Sequence, residues 1–132
     1  MKYFFDSSAI FKAIKENNVE VLVGNCTLEL ARYELGNVLW KSLALEGKAT
    51  DTEIKTLAKI VKRVLGVMEV LQISCSEEGI LEIANKTKIT FYDAAYAYHA
   101  MVKNLTLITE DTQLIKKITP KIKASTLSDI TG

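Results

Sequence analysis

Cysteine is scarce in this chain: Cys26 and Cys75 are the only two, they lie far apart, and they match no zinc or redox spacing. They read as two reduced, buried thiols, which fits an intracellular protein. Long hydrophobic runs are missing as well. No apolar stretch reaches the 18 residues or so of a membrane helix, and the first strand signal begins at residue 2, so no signal peptide is expected. Cytoplasmic location and no membrane partner follow as expectations. An excess of one charge is also lacking. Seventeen basic against sixteen acidic residues leave a formal net charge of +1, so any contact with nucleic acid must come from local clustering. There is no repeat, no low-complexity tract and no linker, so residues 1–132 read as one domain. What is present, 48% hydrophobic and 25% charged residues, is the composition of a globular protein. A chain of this length buries roughly two-thirds of its unfolded surface.

The stretch that organises the rest is Tyr3-Phe4-Phe5-Asp6-Ser7-Ser8. Three aromatics in a row are apolar on both faces, as in a fully buried strand of a parallel sheet. An acid and two small hydroxyl residues follow, which is turn and helix-capping chemistry. Asp6 is thereby expected at the carboxyl end of a central strand, the edge where open α/β sheets bind ligands.

Further along, residues 8–16 read as a helix capped by Ser7 or Ser8, and Val19–Val23 as a strand ended by Gly24-Asn25. A long helix is expected over 27–46, capped near Thr27, with Leu28, Ala31, Leu35, Val38, Leu39 and Ser42 on its inward stripe. Thr50-Asp51-Thr52-Glu53 is a capping box. It opens a helix that buries Ile54, Leu57, Ala58, Val61, Val64, Leu65 and Met68. Its outer Lys55, Lys59, Lys62 and Arg63 read as a solvated face, with a phosphate-contacting surface as the alternative. Residues 70–74 read as a strand, 76–87 and 91–103 as helices, and 105–109 as a strand. Asp111 or Thr112 caps a short helix that Pro120 stops. A last strand at 122–124 and a frayed tail complete the chain. Alternating strands and helices predict an α/β fold: three layers, α/β/α, around a parallel sheet of four to five short strands.

Among sixteen acids, the informative ones sit where a solvated acid should not. Glu34 lies between Ala31 and Val38 of the buried stripe, so its carboxylate points partly inward and requires a partner, a lysine or arginine in the plainest case. Asn37 follows on nearly the same face. Asp93 opens a helix and is followed by small residues, although Thr90-x-x-Asp93 also reads as a capping box. Asp111 follows a strand much as Asp6 does, and Glu110 beside it is an equal candidate. His99 lies about 120° around the helix from Asp93 and is set aside. In a parallel sheet, Asp6, Glu34, Asp93 and Asp111 can all meet at one edge.

These pieces together resemble the PIN-domain family, in particular the small VapC type of toxin–antitoxin modules. The resemblance is carried by Tyr3-Phe4-Phe5-Asp6-Ser7-Ser8, by Glu34-Leu35-Gly36-Asn37-Val38-Leu39, by Tyr92-Asp93-Ala94-Ala95-Tyr96-Ala97 and by Leu107-Ile108-Thr109-Glu110-Asp111. It implies a ribonuclease using Mg²⁺ or Mn²⁺ held by Asp6, Glu34, Asp93 and Asp111, with Ser8 and Thr109 orienting carboxylates or waters and Asn37 steadying Glu34. It also implies an RNA substrate, a cognate antitoxin and a homodimer. Clustered carboxylates repel one another and RNA alike. A hard divalent ion with oxygen ligands reverses that repulsion and acidifies its bound water. The competing readings are a phosphoryl-transfer domain, disfavoured because Asp6 is followed by Ser7 and Ser8, and a PIN-like domain that binds RNA or protein without cutting.

Overall fold

The computed structural model describes residues 1–131. Strand β1 (Tyr3–Phe5) is the middle of a five-stranded, all-parallel sheet in the order β3-β2-β1-β4-β5. Its partners are β2 (Cys26–Leu28), β3 (Glu69–Leu71), β4 (Thr106–Ile108) and β5 (Ala124–Ser125). Successive side chains of a strand face opposite ways. Phe4 therefore enters one core with Cys26 and Leu107, and Phe5 enters the other with Ile108. Each ring is fully buried, which is worth about 1.5–3 kcal/mol apiece.

Helices α1 (Ser7–Lys15), α2 (Leu30–Trp40) and α3 (Asp51–Gly66) cover the Phe5 face. Helices α4 (Glu77–Thr87), α5 (Phe91–Val102) and α6 (Thr112–Ile118) cover the Phe4 face. This is the expected three-layer α/β/α arrangement. The Thr50–Glu53 capping box is present at the start of α3. Among the described residues, no helix is long and apolar enough to cross a membrane.

Several local expectations are corrected. Val19–Leu22 is a short 3-10 turn, not a strand; the strand here is Cys26–Leu28, paired with β1 and β3. Asn25 locks this choice. Its amide donates to the Val21 carbonyl at 2.6 Å, and its side-chain oxygen accepts from the Tyr3 amide at 2.8 Å. Thr27 is accordingly no helix cap: its buried hydroxyl donates to the Phe5 carbonyl at 2.8 Å. Helix α2 starts later, at Leu30, and runs into a π-helical stretch, Lys41–Leu45, where Ser42 is half-buried. Asp6 itself, not Ser7 or Ser8, caps α1.

On α3 it is Ile60, not the exposed Ala58, that packs against the core. Cys75 is exposed, not buried. The tail is no frayed end: α7 (Leu127–Thr131) buries Leu127 completely, and Asp129 accepts from the Thr126 amide at 3.0 Å. Because the five strands run the same way, their carboxyl ends share one edge. Adjacency of β1 and β4 brings Asp6 beside the segment that follows Ile108, and the Asp6 amide donates to the Ile108 carbonyl at 3.1 Å.

Candidate active site

Asp6 is buried at the end of β1 and serves as the N-cap of α1. Its Oδ1 accepts from the Ala9 amide at 3.0 Å and from the Ser8 hydroxyl at 2.6 Å. Ser8 Oγ also accepts from the Glu110 amide at 3.0 Å and lies 3.4 Å from Thr109 Oγ1. Thr109, wholly buried, accepts in turn from the Asp111 amide at 3.2 Å. Ser8 and Thr109 thus stitch the ends of β1 and β4 together around Asp6. Burial pushes the Asp6 carboxyl up to about 6, against the opposing pull of Ser8, Thr109 and the Ala9 amide; the charge of Asp93 adds to the rise.

Glu34 meets hydroxyls, not the expected cation. Its Oε1 accepts from Tyr96 at 2.7 Å and from Ser7 at 3.0 Å, which ties α2 to α5 and α1. Asn37 does not steady it. Asn37 is exposed, makes no hydrogen bond to Glu34 among the described residues, and only shares a shallow depression with it and Tyr33. Tyr96 and Ser7 were not picked out from sequence as Glu34's partners. The signal for Tyr96 was its place three residues after Asp93, one turn along the same face of α5.

Asp93 is half-buried in the first turn of α5, where its amide donates to the Thr90 hydroxyl at 3.1 Å. Burial raises its carboxyl, and the charges of Asp111 and Glu34 raise it further, while Lys117 partly offsets them. Asp111 caps α6: its Oδ1 accepts from the Gln113 amide at 3.0 Å and the Leu114 amide at 3.1 Å. A depression of ≈150 Å³ joins Asp93 and Asp111, with Lys88 and Lys117 on its wall.

Glu110 is already employed elsewhere. Oε1 pairs with Lys12 at 2.9 Å and Oε2 accepts from the Leu127 amide at 2.8 Å, holding α7 to the sheet. Glu110 is thereby a structural acid, and Asp111 faces the depression.

None of Asp6, Glu34, Asp93 and Asp111 forms an ion pair among the described residues. They are near enough for Asp93 to feel Glu34, Asp111 and Asp6 electrostatically. Yet no three acids, histidines or cysteines of the described residues close on one point as metal ligands would. The physical reason is visible in their partners: each of Asp6, Glu34 and Asp111 turns an oxygen toward local amides or hydroxyls. Mutual repulsion of like charges favours that spread. His99 is buried against the Ala95 carbonyl at 2.8 Å and takes no part.

The parallel sheet thus carries acids from four remote segments at the carboxyl edge, none of them in an ion pair among the described residues. Residues 3–119 match the PIN domain model, and the chain belongs to the PIN-domain family. Among its relatives it is similar to Exonuclease VapC9 of Pyrobaculum aerophilum, at 32% identity over 134 residues, covering 96% of this chain and 93% of that protein. The crystal structure of PAE2754 from Pyrobaculum aerophilum superposes with a TM-score of 0.82 at 29% identity, covering 98% and 95% of the two chains. DNA-bound VapBC from Salmonella typhimurium, at 21% identity, shares the fold with a TM-score of 0.69 over 96% of this chain and 98% of that one.

Proposed function

We propose that this chain is an endoribonuclease dependent on Mg²⁺ or Mn²⁺, the toxin of a toxin–antitoxin pair, acting in the cytoplasm on RNA phosphodiester bonds. One observation carries the reading: a buried aspartate that feels the charge of Asp93, which in turn feels Glu34 and Asp111, with none of the four in an ion pair among the described residues. A purely structural cluster of this kind has no reason to persist, since each charge raises the cost of the others. The relatives bear on it too. One is named an exonuclease of the VapC type, and fold relatives such as VapBC were solved as complexes.

The donor set fits a hard divalent ion: carboxylate oxygens, hydroxyls, no thiol and no imidazole. Asp6, Glu34 and Asp93 would hold it, with Asp111 completing the set. Such an ion, when bound, supplies an acidified water and neutralises charge on the phosphate oxygens. The chain's own groups do the rest. Ser8, Thr109 and the Ala9 amide orient the Asp6 carboxylate. Tyr96 and Ser7 fix Glu34 through one oxygen and leave the other for a ligand. Lys117, beside Asp93, draws the anionic substrate toward the acids.

A labelled single-stranded RNA incubated with Mn²⁺, with a chelator, and with Asp6→Asn protein tests the reading. Cleavage that the chelator and the mutation both abolish is expected; cleavage surviving either one rejects it. Binding of RNA without cutting supports the alternative, a non-catalytic RNA- or protein-binding domain. The relative's name favours a second mode of attack, from a chain end. A circular RNA decides, because only an endonuclease opens it. A homodimer and an antitoxin partner belong to the same proposal, tested by light scattering and by co-purification with the product of a neighbouring gene.

A further inference from the structure

We propose that the cavity between α4, α5 and α6 is a subsite that holds one nucleotide of the RNA strand beside the scissile bond. The inference rests on the ribonuclease reading above and extends it to how substrate is gripped. The cavity measures ≈220 Å³, below the roughly 300–1,000 Å³ of a site for a drug-sized ligand. That suits a single nucleoside. It is far too small for a helix of a protein partner, about 10–12 Å across.

Its walls have the two-part chemistry of a nucleotide. Ile83, Tyr98 and Ile122 form an apolar, aromatic side for a base, and Lys86, Lys117 and Lys121 form a cationic rim for phosphate. Among the described residues Glu82 is the one acid in that wall, and it is paired with Lys86 at 2.9 Å and also feels Lys121, so three lysines against one carboxylate leave a net positive charge for an anion.

Two further observations tie the cavity to substrate. Lys117 lines both this cavity and the depression containing Asp93 and Asp111, so one strand can lie in both. Its ammonium donates to the carbonyl of Lys88, which lines that depression, at 3.2 Å. The aromatic wall also depends on a specific residue. A Cβ at Gly79 would lie 2.3 Å from Tyr98 Cε1, so the ring occupies space that only a glycine on α4 leaves open. An alanine there displaces the ring without costing the helix propensity.

The test is fluorescence anisotropy of a short labelled single-stranded RNA with chelator present, and in parallel steady-state cleavage with Mn²⁺. Tyr98→Ala and Gly79→Ala are each expected to weaken binding about tenfold, within the range for loss of one stacked base, while Tyr98→Phe binds as wild type. Exposed Lys121→Gln, which leaves the fold intact, is expected to flatten the slope of log affinity against log salt by about 0.7. In cleavage, KM rises and kcat at saturation stays, because a flanking contact is made equally in ground and transition states. Wild-type protein that cleaves RNA, alongside variants with unchanged affinity, salt slope and KM, overturns the subsite alone. Wild-type protein that neither binds nor cleaves RNA overturns the ribonuclease reading and the subsite with it.

Discussion

The two ends of one sheet treat their acids in opposite ways. At the amino end, Glu69 opens β3 and receives Lys2 at 2.6 Å, Lys103 at 3.4 Å and the Cys26 thiol at 3.4 Å. The hydrogen bond from Lys2, then Cys26 and Lys103, hold its carboxyl down to about 2. At the carboxyl end, burial lifts Asp6 to about 6, and its neighbours are acids and hydroxyls. Lysines occur at both ends, yet among the described residues none forms an ion pair with Asp6, Glu34, Asp93 or Asp111. A neutralised acid is cement between strands. An acid kept buried and unpaired is free for a ligand that is not part of the chain, and it destabilises the fold until that ligand arrives. Glu110 makes the same point within the carboxyl edge itself, since Lys12 neutralises it while its neighbour Asp111 is left unpaired.

The largest effect expected from breaking this contrast is at Asp6. Asp6→Asn should lower RNA cleavage at least about a thousandfold, roughly 4 kcal/mol of barrier. The same change should stabilise the metal-free protein at neutral pH, by up to about 3 kcal/mol for a shift of about two pH units. The sign follows from proton binding. Between pH 4 and 6 the folded Asp6 carboxyl holds a proton that the unfolded one has released, so wild-type stability falls as pH rises through that window. Urea unfolding of both proteins should coincide below pH 4 and separate above it. Equal stability at pH 7 would mean that Asp6 is not the destabilised acid described here.

Next comes the hydroxyl that replaces a cation at Glu34. Tyr96→Phe removes the 2.7 Å hydrogen bond and should cost about 1.5–3 kcal/mol of stability while reducing cleavage, because the carboxylate loses its orientation. Thermal unfolding and cleavage measured on one preparation check both halves.

The adjacent pair sharpens the comparison further. Asp111→Asn keeps an equally good helix cap, so it should change stability by less than about 1 kcal/mol yet depress cleavage strongly. Glu110→Gln should do the reverse, loosening α7 and sparing activity. Reversed outcomes would exchange their roles.

The smallest effect belongs to Glu69→Gln. Cleavage should be unchanged, with a modest loss of stability that added salt removes. The stabilisation it abolishes is present above the ordinary carboxylate range and disappears as pH falls toward 2.

How much of this was legible in residues alone depended on range. Asp6 after an apolar strand, the Thr50 box and the Asp111 cap are decided within three or four residues, and all three stand in the structure. Val19–Val23 misled because β-branched residues favour a strand only when a partner strand is there. The partners chose Cys26–Leu28, and Asn25 made the intervening turn rigid. The tail misled for a similar reason. Thr126-x-x-Asp129 is a local start signal, but five residues make no stable helix alone; Leu127 is held because the core and Glu110 receive it.

By itself the sequence determined which segments are apolar on two faces, where helices begin, and which acids stand out from solvated ones, because periodicity and capping are short-range properties of the chain. Only the tertiary structure decided who meets whom. It assigned Tyr96 and Ser7 to Glu34, Lys12 to Glu110 and no cation to Asp6. Those partnerships join segments far apart in the chain, and no local pattern encodes a neighbour that arrives from another layer.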